Sequence, residues 1–130
     1  IPMPWNNEKY NGFSSHEPWL NVAYEDKNTN VQSEMEDESS VYHFYKNLIR
    51  LRKEDSTLVY GEVEFSGVGL KDYFAYYRQG ENRYFIEMNL GLTHKPSLAE
   101  ESAKLLMSSH KRPTRFLKAF ESRIYKIESI

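Results

Sequence analysis

The densest group of potentially reactive side chains in this sequence is a set of four neighbouring carboxylates: Glu34, Glu36, Asp37 and Glu38. Paired carboxyl groups can transfer protons when an apolar pocket raises the pKa of one of them. These four instead precede a helical segment, where negative charge complements the positive end of the helix dipole. The sequence therefore predicts helix capping and solvation for this group, and it assigns no catalytic residue.

Neither a metal site nor an activated nucleophile is indicated by the sequence. The four histidines are far apart, and no pair has the spacing of a metal-binding motif: His16, His43, His94 and His110. The serines lie outside any Gly-x-Ser-x-Gly pattern. Residues 67–69, Gly-Val-Gly, are not followed by a phosphate-binding pattern and predict a turn. We therefore expect no metal and no cofactor.

The composition argues against several classes of protein. A chain of 130 residues allows one domain with a modest core, and a hydrophobic content of 39% argues against global disorder. The net charge of −2 includes no long basic run, so nucleic acid is a poor candidate partner. No apolar run approaches the roughly 18 residues that span a bilayer, so no membrane association is expected. The absence of cysteine fits a reducing compartment, and we expect a cytoplasmic location.

The first 36 residues are irregular and rich in aromatic side chains. Their opening reads IPMPWNNEKYNGFSSHEPWL, in which proline, glycine and asparagine favour turns. The sequence therefore predicts a loop over residues 1–36. A loop of this length is unusual inside a compact domain and indicates that it lies against another surface. Four aromatic rings could pack on that surface or stack on sugar rings: Trp5, Tyr10, Phe13 and Trp19.

A helix is predicted over residues 38–54, with Asp37 or Ser39 as its N-cap. Its apolar residues recur at helical spacing and form a wide, aromatic stripe: Val41, Phe44, Tyr45, Leu48, Ile49 and Leu51. Such a stripe needs a substantial surface to cover it. That surface is either the chain's own sheet or a body larger than this chain supplies.

A change of pattern after Gly61 predicts short strands. Five runs are alternating or rich in β-forming residues: 62–65, 73–78, 83–90, 104–107 and 120–127. Residues 79–82 have the length and composition of a hairpin turn. Residues 97–107 also fit a helix that begins at a capping box, but we favour a loop and a strand. Several short strands at this spacing predict an antiparallel β-sandwich.

The run over residues 83–90 separates apolar from polar side chains. One face carries Tyr84, Ile86, Met88 and Leu90, and the other carries Arg83, Glu87 and Asn89. Other strands are rich in tyrosine, and we expect their rings to pack in the core and across strands rather than to bind glycans: Tyr73, Tyr76, Tyr77 and, on this run, Tyr84.

Several segments together resemble the α-glucosidase branch of the α-amylase superfamily, which includes oligo-1,6-glucosidases, dextran glucosidases and trehalose-6-phosphate hydrolases. PMPWNNEKYNGFS followed by EPWLNV is similar to the family's PMQWD…NAGF…PWLPV. The segment SSVYHFYKNLIRLRKEDSTLVYG resembles its DSVLNFYRKLIALRK helix and the LVYG that follows. The hairpin LKDYFAYYRQGENRYFIEMNL and the closing FLKAFESRIYKI resemble its hairpin and terminal strand.

The resemblance implies a particular domain organisation. In such enzymes a (β/α)8 barrel is followed by a small β-sandwich. Residues 1–36 would be a loop at the barrel edge, residues 37–55 the last barrel helix, and residues 60–130 the C-terminal β-sandwich. The expected fold is therefore mainly β, an antiparallel sandwich preceded by a long loop and one α-helix left over from the barrel.

The resemblance also implies a function. The chain would be the C-terminal part of a retaining α-glucoside hydrolase whose catalytic carboxylates lie upstream, so we expect it to stabilise the barrel and to be inactive alone. Its partners would be the catalytic barrel of its own parent chain and the oligosaccharide substrate of that parent. The isolated chain would also self-associate. The alternative is a non-catalytic carbohydrate-binding β-sandwich.

Position by position, the resemblance places Trp5, Asn6 and Asn7 at the rim of the cleft, where they would contact substrate or pack against the barrel. Two departures weaken the substrate assignment. Pro4 stands where the family usually has glutamine, and Asn6 where it usually has aspartate.

Overall fold

The computed structural model describes residues 1–22 and 27–128. The chain divides into two compact units, Ile1–Arg50 and Leu51–Ile130. A 3₁₀ turn, Lys9–Gly12, and three helices precede the strands: α1 (Val31–Glu36), α2 (Val41–Glu54) and α3 (Thr57–Tyr60). Among the described helices, none has the length and apolar character needed to cross a membrane.

Helix α1 lies where the sequence predicts loop, so that prediction is wrong for residues 31–36. The helix begins at a reciprocal pair of hydrogen bonds. The Asn30 side-chain oxygen accepts from the Ser33 N–H at 3.0 Å, and the Ser33 hydroxyl oxygen accepts from the Asn30 N–H at 3.1 Å. This is a capping box built from Asn and Ser instead of the usual Ser or Thr with Glu or Gln, which is why the sequence pattern was missed.

Helix α2 confirms the strongest helical prediction, but its N-cap is a different residue. The Ser40 hydroxyl oxygen accepts from the His43 N–H at 3.3 Å, and the Ser40 carbonyl accepts from the Phe44 N–H at 3.0 Å. Asp37 instead accepts from the N–H and the hydroxyl of Ser39, at 2.8 and 2.7 Å. Asp37 and Ser39 therefore order the turn before the helix, and Ser40 caps it.

The strands form two antiparallel sheets, which confirms the predicted β-rich fold. The seven strands are β1 (Glu62–Ser66), β2 (Tyr73–Gln79), β3 (Arg83–Asn89), β4 (Lys95–Pro96), β5 (Ala103–Ser108), β6 (Phe116–Leu117) and β7 (Ser122–Ile127). The larger sheet has the order β1-β2-β3-β7-β5, and β4 pairs with β6. Residues 97–107 are loop and strand, so the helical alternative for them is wrong.

The core of the second unit lies on one face of the larger sheet. It is built around Tyr73, Ala75, Phe85 and Tyr125. The register places Ala75 opposite Glu87, so the polar face of β3 is the one that points into this core. The apolar and polar residues named from the sequence lie on opposite faces, but Phe85 shares the face of Glu87, and Tyr84 on the other face is buried as well. Strand β3 is therefore enclosed on both sides, and its polar side chains need partners.

Candidate functional site

The rim residues expected from the sequence lie in one tight loop of the first unit. The N–H groups of Trp5 and Asn6 donate to the Asn11 carbonyl at 2.9 and 3.3 Å. The Asn6 side-chain oxygen accepts from the Glu8 N–H at 3.0 Å. Gly12 has φ +65°, and a Cβ there would lie 2.5 Å from the same Asn6 oxygen. The loop therefore requires glycine at this position and uses Asn6 to hold its shape.

Hydrogen bonds also attach this loop to the start of α1. The N–H groups of residues 31 and 32 donate to the carbonyls of residues 4 and 5, each at 3.0 Å. The Asn7 side-chain oxygen accepts from the side-chain amide of Asn30 at 3.1 Å. Asn30 is also the N-cap of α1, so this one residue both caps the helix and holds the loop that contains Trp5, Asn6 and Asn7.

Trp5 presents ring surface, whereas Asn6 and Asn7 use their side-chain oxygens to hold the loop. The Trp5 side chain is 49% exposed. It lines a shallow, open groove together with Asn6 and four residues of α1: Val31, Gln32, Met35 and Glu36. Trp19 is 91% exposed. Of the three predicted rim residues, Trp5 has the geometry for contact with a ligand or with another protein surface.

The acidic group at residues 34–38 serves helix starts, turns and solvation, and two of its members, Glu34 and Glu36, lie in α1 itself. A Glu34 carboxylate oxygen accepts from the Tyr42 N–H at 3.3 Å in the first turn of the helix. Glu36 accepts from the Gln32 side-chain amide at 3.3 Å, and Glu38 is exposed. In the described part of the chain, no group of three or more histidine or acidic side chains could hold a metal ion.

A buried carboxylate in the second unit was not identified as special from the sequence. Glu87 is fully buried and accepts four hydrogen bonds. The donors are the hydroxyls of Tyr73 and Ser97, each at 2.6 Å, the Tyr125 hydroxyl at 2.9 Å and the Leu98 N–H at 3.1 Å. Burial and the bond to this carboxylate raise the pKa of Tyr73. Since a carboxylate has about four acceptor positions, this one is satisfied internally and serves the fold.

A second buried acid forms an ion pair. Glu121 lies 2.6 Å from the Arg123 guanidinium and accepts from the Lys118 N–H at 2.7 Å and the Ser108 hydroxyl at 2.9 Å. Burial opposes ionisation of Glu121, but these donors outweigh it and lower its pKa. Arg123 also donates to the Tyr125 hydroxyl at 3.3 Å, which links this pair to the Glu87 cluster.

A third polar cluster joins the residues that follow α2 to the β2–β3 hairpin. Asp55 accepts from the Thr57 N–H at 2.8 Å, from the Asn82 side-chain amide at 2.7 Å and from the Tyr84 hydroxyl. Burial acts against ionisation, but these hydrogen bonds lower the pKa of Asp55 overall. A Cβ at Gly80 would lie 2.8 Å from the Thr57 hydroxyl oxygen, so the hairpin turn needs glycine here.

Comparisons with known proteins give consistent similarities. The alpha-amylase family model, described as the alpha amylase catalytic domain, matches residues 1–61. The probable oligo-1,6-glucosidase 3 of Bacillus subtilis is 35% identical over 136 residues, covering 95% of this chain and 24% of the relative. The glucan 1,6-alpha-glucosidase of Streptococcus pneumoniae is 33% identical, covering 82% of this chain and 20% of the relative.

Solved structures extend the similarity to the fold. The trehalulose synthase MutB from Pseudomonas mesoacidophila MX-45 superposes with a TM-score of 0.83 at 27% identity, covering 96% of this chain and 24% of the solved chain. The chain therefore spans about a quarter of the length of the proteins that it matches.

Proposed function

Because this chain belongs to the α-amylase superfamily, we propose that it is part of an α-glucoside hydrolase of the α-glucosidase and oligo-1,6-glucosidase type. The observation that carries the proposal is the match of 95% of the chain to probable oligo-1,6-glucosidase 3. Within that match, residues 1–61 correspond to a catalytic domain. The chain would therefore contribute the end of that domain and the β-sandwich that follows.

The proposed role of this part is to stabilise the catalytic barrel. Hydrolysis with retention needs two carboxyl groups about 5–5.5 Å apart, and the resemblance assigns those groups to barrel strands upstream. Helix α2 supports the stabilising role, because no residue of it is buried. Val41, Tyr45 and Ile49 are each more than half exposed and lie along one side of the helix. In the parent this stripe would pack against the barrel.

A chimera tests the proposal. This chain would replace the matched segment of the Bacillus subtilis relative, and hydrolysis of p-nitrophenyl α-glucoside and isomaltose would be measured. We expect the chimera to hydrolyse at least one of these substrates and the 130-residue chain alone to hydrolyse neither. Turnover by the isolated chain at the rate of the intact relative would overturn the assignment.

We also propose that Trp5 borders the substrate cleft, with Asn6 and Asn7 holding its loop. In the chimera, Trp5→Ala should raise KM for isomaltose several-fold with a smaller change in kcat, because a lost rim contact weakens binding. Phe120→Ala, at an exposed ring outside the opening stretch, is the matched control and should leave KM unchanged. An unchanged KM for Trp5→Ala would contradict the proposal that Trp5 borders the substrate cleft. The cytoplasmic location stays a prediction from the sequence.

A further inference from the structure

The outer face of the larger sheet carries three adjacent aromatic side chains, Phe65, Phe74 and Tyr76, which we call the aromatic strip. Ring centroids are 5.8 Å apart for Phe65 and Phe74, and again for Phe74 and Tyr76. Phe65 is 60% exposed and Phe74 is 41% exposed. A contiguous exposed aromatic surface differs from singly scattered apolar residues and marks a site of contact.

The aromatic strip continues along the same face to a residue that is already covered. In the β2–β3 register, Tyr76 lies opposite Ile86 and Arg78 lies opposite Tyr84. Residues two apart on a strand point to the same face, so Tyr84 shares the face of the strip. Tyr84 is buried, and its hydroxyl donates to Asp55. One end of this face is therefore covered by residues 55–57, whereas Phe65 and Phe74 at the other end are exposed.

Residues 55–57, which cover Tyr84, indicate which protein surface would cover the exposed end at Phe65 and Phe74. Asp55 and Thr57 lie within the segment that matches a catalytic domain, which ends at residue 61. The contact at Tyr84 is thus a contact between the end of a catalytic-domain segment and the sandwich. Proteins that match this chain are about four times as long, so most of such a domain lies outside it.

We propose that the aromatic strip is the surface on which the rest of the parent's catalytic domain docks, through an apolar patch that continues the contact made by residues 55–57. This inference rests on the proposed function. Apolar side chains adjoin the strip on the same face: Val63, Ile86 and Met88. The charged Arg78 on this face donates to the Thr57 carbonyl at 3.4 Å, at the end that is already covered. The acidic side chain of Glu64 lies opposite Tyr77, on the other face. A sugar site would instead combine the rings with several convergent polar groups.

The test compares one double substitution in two settings. The double substitution Phe65→Thr with Phe74→Thr removes both rings and introduces threonine, which favours strands. It is made both in the isolated 130-residue chain and in the chimera. We expect a small loss of Tm in the isolated chain, where the rings face water. We expect the chimera to lose at least about 5 °C more than the isolated chain. Val68→Thr with Leu92→Thr, at two strongly exposed loop positions, is the control and should change neither.

The outcomes separate this surface from the proposed function. An active chimera that loses no more Tm than the isolated chain would overturn the docking surface and keep the function. An inactive chimera whose Tm still falls selectively would support the surface and count against the function. If the isolated chain sediments as a dimer that the substitutions dissociate, and the chimera is unaffected, the strip binds a second copy and the proposal is wrong.

Discussion

At the scale of single residues, Glu87 is the clearest case of a polar group that the fold needs. Its carboxylate lies in the core of the second unit and accepts from three hydroxyls and one N–H. A buried carboxylate is costly unless its acceptor positions are filled. Here the filled positions also connect β2, β3, β7 and the loop that contains Ser97, so the carboxylate holds four parts of the chain together.

Glu87→Ala should therefore lower the free energy of unfolding by at least about 3 kcal/mol, because it leaves several buried donors without an acceptor. Glu87→Gln should cost less, since the tyrosine and serine hydroxyls can reverse and accept from the amide. Urea denaturation followed by circular dichroism measures both. Glu81→Ala, at the exposed hairpin turn, is the control and should stay within about 0.5 kcal/mol of the parent chain. A Glu87→Ala variant as stable as this control would contradict the role of the cluster.

Glu121 predicts a pH dependence of stability. Its pKa in the folded protein is lowered below its ordinary value of 4.5. Its contribution is therefore fully present above about pH 4.5 and is lost as pH falls through the lower pKa of the folded state. The stability difference between the parent chain and Glu121→Gln should be largest near neutral pH and should shrink as the pH falls below 4.5.

Urea denaturation at a series of pH values checks this prediction. Asp55, whose pKa is also lowered, is present in both proteins and cancels in the comparison. Glu101→Gln, at an exposed turn, is the matched control and should give a small difference at every pH. A difference for Glu121→Gln that is equally large across the whole range would contradict the prediction.

At the scale of elements, α2 is capped by a type of side chain that the sequence predicts, but at a different position. A serine or aspartate cap was expected, and the cap is Ser40. Ser40→Ala should cost about 1 kcal/mol of stability and reduce helical circular dichroism, because the His43 N–H loses its acceptor. Ser39→Ala removes a neighbouring exposed hydroxyl and should cost much less. Equal losses for the two variants would place the cap elsewhere.

At the scale of the whole molecule, we expect the isolated chain to self-associate. The exposed apolar stripe of α2, at Val41, Tyr45 and Ile49, favours burial against any complementary surface. Sedimentation velocity over a dilution series should show mass that rises with concentration. Tyr45→Lys with Ile49→Lys should shift the distribution toward monomer, whereas Lys46→Glu, which keeps the apolar residues, should not. A monomer at every concentration would disprove this expectation.

The sequence by itself determined where the longest helix and the strands of the larger sheet lie. Helical spacing located α2, alternation located β3, a run of β-forming residues located β2, and the residues of the turn located the hairpin between them. These signals depend on neighbours within a few positions along the chain, which is why they are readable without a structure. The capping box of α1 is equally local, and it was missed only because Asn and Ser form it.

Only the tertiary structure decided which face of β3 is turned into the core. Alternation separates Glu87 from Ile86, but it does not say which side meets the core. The donors to Glu87 come from positions 73, 97, 98 and 125, and strand register and loop path bring them together. The free energy of burying a carboxylate depends on those distant partners, so no window of the sequence around Glu87 contains it.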